Sequence, residues 1–154
     1  PVEKVSWEDV QEFITKLNQL TGQQFCLPTE SEWEYAARGG KWSNSTNYSG
    51  SNDIDAVAWY SGNSGDQTHS VKTKAPNELG LYDMTGNVFE WCQDWYGDYS
   101  ADAQTNPMGP SNGSLRVLRG GSWFNNARYC RVSYRYGGSP TGRYYNLGFR
   151  LALP

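Results

Sequence analysis

At 154 residues, with a net charge of -3 and a pI near 5.1, the chain has the size of one domain that can bury a substantial core. It lacks the basic surplus of a general nucleic-acid binder. Only 37% of the residues are apolar, but 15% are aromatic, with 7 Trp among them; large rings therefore supply much of the buried area, and a disordered chain is excluded.

Ser6-Trp7-Glu8-Asp9 opens a helix: Ser6 caps the free amides, acids fill the first turn, and Val10, Phe13, Ile14, Leu17 and Leu20 recur at helical spacing up to Gly22. A second helix is predicted within 28–40, where Thr29 and Glu32 have capping-box spacing and Gly39-Gly40 forms the exit. From 41 to 77 the chain is rich in Ser, Asn, Gly and Asp, which predicts ordered loop pinned by Trp42, Tyr48, Trp59 and Tyr60. Short strands are predicted at 88–93, 116–120, 122–124, 130–134 and 148–153. Two helices followed by short strands imply a single α+β domain over 1–154 with a small antiparallel sheet and much ordered loop. No internal repeat is visible. No apolar run approaches bilayer length, and Pro1-Val2-Glu3-Lys4 does not open a signal-peptide pattern, so no direct membrane insertion is expected of this segment. Cys26, Cys92 and Cys130 are too few for a disulfide framework and lack CxxC spacing, and each reads as a lone thiol.

The segment GGSWFNNARYCRVSYRYGGSPTGRYYNLGFR, 120–150, contains no acid. Tyr offers a large, fairly rigid amphipathic contact, and Ser, Gly and Asn adapt their hydrogen bonding, which is the chemistry of an antibody paratope. The alternative is that the same residues line a loop-rich β region. Tyr144-Tyr145 speaks against it, because two adjacent Tyr in a strand cannot both face one core.

Several blocks in order, PVEKVSWEDV, LPTESEWEYAARGG, NELGLYDMTGNVFEWCQDWYG, RVLRGGSW and NLGFRLAL, resemble the formylglycine-generating enzyme superfamily, also called the sulfatase-modifying factor family. The resemblance implies a variant of the C-type lectin fold. Members usually carry a further segment before the PVxxVSW motif, so it also implies that the N-terminal part of the family domain is absent from this chain.

The enzymes of that family bind copper through two cysteines five residues apart after the GGS motif, because soft thiolates suit copper(I). Here Asn125 stands at the first position and Cys130 at the second, so the pair is broken and no copper is expected. The related sulfoxide synthases use iron on a histidine cluster, and this chain has only His69.

The C-terminal segment is similar to the variable region of diversity-generating retroelement proteins, in which a reverse transcriptase mutates adenines of a template. Asparagine codons then become codons for Tyr, Ser, Gly, Phe and others. Phe124, Asn125, Asn126, Tyr129, Tyr136, Gly137, Gly138, Ser139, Gly142, Tyr144, Tyr145 and Asn146 fall in that reachable set, and Tyr134, which fits either set, joins them as a candidate ligand contact. The intervening 119–123, Ala127, Arg128, Cys130, Arg131, Val132, Arg135, Pro140, Arg143 and 147–151 resemble the constant framework. Arg119, Arg131 and Arg150 are expected to pair with acids such as Glu32, Glu34, Glu90 or Asp94, since a buried unpaired guanidinium is too costly; Arg128 and Arg143 are expected to flank the ligand.

The resemblance further implies a structural calcium on Asp83, Gly86, Val88 and Glu90, hard oxygen ligands supplied partly by backbone. The alternative is a turn whose acids pair with framework arginines. The function implied is non-enzymatic: a diversified ligand-binding protein that recognises a variable protein or other surface ligand and is displayed on a cell surface or phage tail. The runner-up is an oxidoreductase working through Cys130, or a regulatory module with a degenerate active site. Carbohydrate recognition ranks last, because the EPN, QPD and WND motifs of sugar-binding lectins are missing.

Overall fold

The computed structural model describes residues 1–153. Helix α1, Trp7–Thr21, starts where Ser6 accepts the Asp9 amide and the Asp9 carboxylate accepts the Ser6 amide in return, and it stops at Gly22, whose φ of 70° lies in the left-handed region. Helix α2, Glu30–Ala37, is opened in the same way by Thr29 and Glu32. A third, one-turn helix α3, Ile54–Val57, capped by Asp53, interrupts the segment expected to be loop throughout.

Four strands follow: β1 Phe89–Trp95, β2 Arg116–Arg119, β3 Arg135–Gly138 and β4 Leu147–Gly148, in the order β3-β2-β1-β4. The sheet is mixed, which corrects the antiparallel expectation. β2 runs antiparallel to β1 and β3, so β1 and β3 share a direction. The 139–146 crossover carries the chain from one edge to the other and returns it in that same direction, and β4 therefore lies parallel to β1.

The strands expected at 122–124 and 130–134 are also corrected. The first is a turn closed by Asn125 N–H on the Ser122 carbonyl, and the second begins as a 3-10 turn, Ala127–Cys130. Pairing resumes only at Arg135, where the register sets Tyr136 opposite Leu118. Among the described residues beyond Gly148, an isolated bridge between Ala152 and Cys26 stands in place of the strand expected over 148–153.

Alternation along the strands separates two cores. Phe89, Trp91 and Leu118 meet Val10 and Ile14 of α1 on one face. Cys92 and Val117 meet Trp33 and Ala37 of α2 on the other. The α2 face also holds a buried charge layer. Arg119, with no exposed surface, donates to Glu30 at 3.2 Å, to Glu34 and to the Val132 carbonyl at 2.7 Å. Arg135 forks onto Glu30 at 2.8 and 2.6 Å. Arg150 forks onto Glu90, which also accepts the Trp33 indole N–H at 2.6 Å. Two of the three arginines assigned to structural pairs therefore pair with acids, Arg119 fully buried and Arg150 half-buried, whereas Arg131 is exposed. Glu32 is spent on its capping box.

Candidate functional site

The main chain of 122–146 is held by groups outside it. Trp123 N–H donates to the Asn87 carbonyl at 2.9 Å, and the Asn125 carbonyl accepts from Ser61 N–H at 3.0 Å. The Ser64 hydroxyl donates to the Trp123 carbonyl at 2.9 Å. At the other end the carbonyls of Pro140, Tyr144 and Asn146 accept from the amides of Glu8, Lys4 and Phe89. None of these bonds depends on a side chain of the segment.

The side chains point outward from this frame. Phe124, Tyr136, Tyr144 and Tyr145 are each about half exposed, from 49% to 57%, and Asn126 is exposed. Trp123, only 9% exposed, forms a floor: its ring centroid lies 5.6 Å from Phe124 and 5.7 Å from Tyr145, which are 6.5 Å from each other. Phe124 meets both other rings edge-on while Tyr145 is tilted over Trp123, an arrangement that holds a geometry while leaving the outer faces free. Beside them the Ser122 hydroxyl donates to the Asn125 side-chain oxygen at 2.5 Å and accepts the Asn146 amide at 3.2 Å. That triad joins the two ends of the segment.

Other candidates sit deeper. Asn125, Tyr129, Tyr134, Gly137, Ser139, Gly142 and Asn146 are half-buried. Tyr134 packs against the α1-side core and stands 4.9 Å from Tyr129; burial pushes its phenol up. Gly138 is buried in β3, where a Cβ would meet Trp91 at 3.0 Å and Leu118 at 3.1 Å, so it offers a ligand no surface. Of the arginines expected to flank a ligand, Arg143 forks onto Asp9 at 2.6 Å, while Arg128 lies on the Tyr129 ring.

Cys130 is fully buried, its sulfur against the Ser122 carbonyl, and burial pushes its thiol up to about 12. Burial pushes Cys92 up as well. All three cysteines are free thiols. A nucleophile or metal ligand must be a thiolate, so neither buried sulfur is prepared for that role.

Asp83, Val88 and Glu90 border one cavity of about 400 Å³, which Arg150 also enters. Gly86 and Asn87, at φ 75° and 63°, turn the loop sharply; a Cβ on Gly86 would come within 2.3 Å of the Trp59 carbonyl. The two carboxylates are already engaged, Glu90 by Arg150 and Asp83 by the Lys72 amide. Sequence reasoning missed the support beneath this loop. Asn87 exchanges two bonds of 3.1 Å with the His69 main chain, and His69 stacks 3.7 Å from Trp59. No periodic pattern marks that support; the Gly86-Asn87 pair was its one local signal.

The model of the sulfatase-modifying factor enzyme 1-like domain matches residues 1–154. The chain is 39% identical to the formylglycine-generating enzyme of Streptomyces coelicolor over 99% of its own length and 52% of that protein's. It is 40% identical to the serine/threonine-protein kinase pkn1 of Chlamydia pneumoniae over 82% of its length and 20% of that protein's. Among solved structures it is similar to Treponema denticola variable protein 1, with a TM-score of 0.93 and 38% identity, covering 99% of this chain and 70% of that one. The chain thus spans about half the length, or less, of these curated relatives.

Proposed function

From a chain that belongs to the sulfatase-modifying factor enzyme 1-like family, we propose a non-enzymatic ligand-binding protein of the diversity-generating retroelement kind, presenting residues 124–146 as a diversified face. One observation carries this reading: the main chain of the segment is fixed by donors and acceptors outside it, while Phe124, Asn126, Tyr136, Tyr144 and Tyr145 remain exposed. Side chains can then change without moving the frame. Binding energy concentrates in the aromatic anchors, and the likeness to Treponema denticola variable protein 1 supports the same reading. The partner is a surface ligand, and display on a cell surface or phage tail follows from the retroelement reading.

The oxidase alternative loses support at the sulfur. A copper(I) centre needs two accessible thiolates, whereas Asn125 is bonded to Ser122 and the Cys130 thiol is buried and held protonated.

A calcium, if bound, is structural: the carboxylates of Asp83 and Glu90 and the main chain of Gly86 and Val88 would hold it, with Glu90 shared with Arg150. Calcium chemistry here is charge neutralisation that stiffens the loop leading into β1. Adding calcium to chelator-treated protein is expected to raise the melting temperature; an unchanged value would leave the Glu90–Arg150 pair as the whole device.

The diversified reading is tested by sequencing the gene's 3′ end across the source population and searching adjacent DNA for a near-copy of the segment encoding 120–149. Differences confined to template adenines, at the exposed positions above, are expected. A uniform segment with no near-copy would overturn the reading.

A further inference from the structure

We propose that a cavity at the N-terminal end of α2 is a second binding site, for an organic cation: a guanidinium or primary ammonium on an aliphatic stem. The cavity has a volume of about 850 Å³, within the size range of small-molecule sites. It lies between α2 and the 97–110 segment, on the sheet face opposite α1. Tyr35, Tyr99, Met108 and Pro110 supply its apolar walls, and Glu30 and Asp94 lie at its base.

Its charge is unbalanced. Five carboxylates line it, those of Glu30, Glu34, Asp94, Asp98 and Asp102, against the two guanidinium groups of Arg38 and Arg135. Arg119 reaches Glu30 and Glu34 from beneath, and counting it still leaves a surplus of two negative charges. Glu30 and Glu34 are the carboxylates that the arginines satisfy. Asp94, Asp98 and Asp102 have no ion-pair partner among the described residues. Asp94 is only 4% exposed; it accepts the Glu30 amide at 2.8 Å, and burial pushes its carboxyl up. Arg116 acts on Asp94 through space and makes no ion pair with it, and a buried carboxylate without a direct counter-charge is a costly group that a bound cation would relieve.

The cavity already binds one cation of this chemistry, supplied by the chain. Arg135 forks onto Glu30, donates to the Gly97 carbonyl at 2.6 Å, and lies 4.1 Å from the centre of the Tyr99 ring and 4.7 Å from that of Tyr96. Aromatic faces attract cations, and guanidinium above all. Tyr99 is anchored by its hydroxyl on Glu30 at 3.1 Å yet is 66% exposed, so it retains ring surface for a second cation. Of residues 120–150 only Arg135 lines the cavity. The site therefore stays constant whatever the variable face becomes.

The test is a calorimetric and NMR titration of the protein with agmatine in 150 mM NaCl, with the neutral analogue N-butylurea as control. A Gly-Ser peptide bearing one arginine runs as a parallel arm. Saturable binding of agmatine or of the peptide is expected, with shifts at Tyr99 and Asp94, and the two arms separate a free small cation from a side chain of a partner. Asp98→Asn/Asp102→Asn, at exposed positions, is expected to weaken binding about three- to tenfold with an unchanged melting temperature, whereas Tyr145→Ala leaves binding intact. Binding of neither cation, equal binding of N-butylurea, or an Asp98→Asn/Asp102→Asn variant that binds like the parent would overturn the proposal.

Discussion

Composition alone treats Gly138 and Tyr144 as equally changeable, but the structure separates them, and substitution at each position tests the separation. In Gly138→Asn the new Cβ would lie 3.0 Å from Trp91 Cη2 and 3.1 Å from Leu118 Cδ1. Both neighbours belong to the α1-side core, and Trp91 has no exposed surface. Forcing an extra group into such packing costs about 1–3 kcal/mol, and a buried amide without a partner adds about 1–3 kcal/mol. For a domain of this size 1 kcal/mol moves the melting temperature by about 2–4 °C, so the variant is expected to melt about 4–24 °C below the parent. Tyr144 is 49% exposed, and its carbonyl accepts from Lys4 and Leu147 whatever its side chain is. Tyr144→Ser is therefore expected to stay within about 0.5 kcal/mol of the parent, under about 2 °C. Thermal melts followed by circular dichroism decide the matter. If Gly138→Asn melted with the parent, or Tyr144→Ser fell as far as Gly138→Asn, the distinction between frame and face would be wrong.

Arg119→Met is expected to destabilise the domain by about 1–3 kcal/mol, because the buried Val132 carbonyl loses its donor while Glu34 keeps Arg38 and Glu30 keeps Arg135; a urea midpoint within error of the parent would show that the Arg119 contact is dispensable. Arg143 and the Ser6 cap hold the Asp9 carboxyl well below its ordinary value of 3.8. A depressed carboxylate stabilises above the unfolded-state value and loses that contribution as pH falls through the folded one, so the stability gap between the parent and Asp9→Asn should narrow below pH 4. A gap that stays constant from pH 7 to pH 2 would contradict the pair. Thiol titration of the folded protein at pH 8 should find Cys92 and Cys130 unreactive and only Cys26 slowly accessible, with three thiols after denaturation; rapid labelling of Cys130 would restore the oxidase reading.

Both long helices were legible because each carries its own start signal: Ser6 with Asp9, and Thr29 with Glu32, bond reciprocally in three-dimensional space as their spacing implies. Strand β2 was legible from Arg-Val-Leu-Arg. Strand β3 was not, since Arg-Tyr-Gly-Gly has weak strand preference and is extended only because it pairs with β2. The parallel partnership of β4 could not be read either, for it depends on where the crossover lands. α3 hid in a polar run where one capping aspartate was the sole cue. Within the candidate face, the adjacent tyrosines 144 and 145 correctly signalled exposure. The glycines were ambiguous, because a glycine that varies and a glycine that packs look alike until a neighbour is placed beside them.

Of the two positions that the family resemblance sets against copper-binding cysteines, one carries Asn125 and the other retains Cys130, and each has a structural task. Asn125 uses its side chain to join Ser122 and, through it, Asn146, tying the start of the exposed segment to its end. Cys130 fills the space beneath Gly121, where an added Cβ would lie 2.7 Å from its sulfur. The glycine, at φ 71°, is thus required twice, by conformation and by close approach. A reactive thiolate at 130 needs solvent or a counter-charge, and a packed thiol needs neither. The surroundings of Cys130 favour packing, so the sulfur contributes to the frame on which the exposed side chains stand.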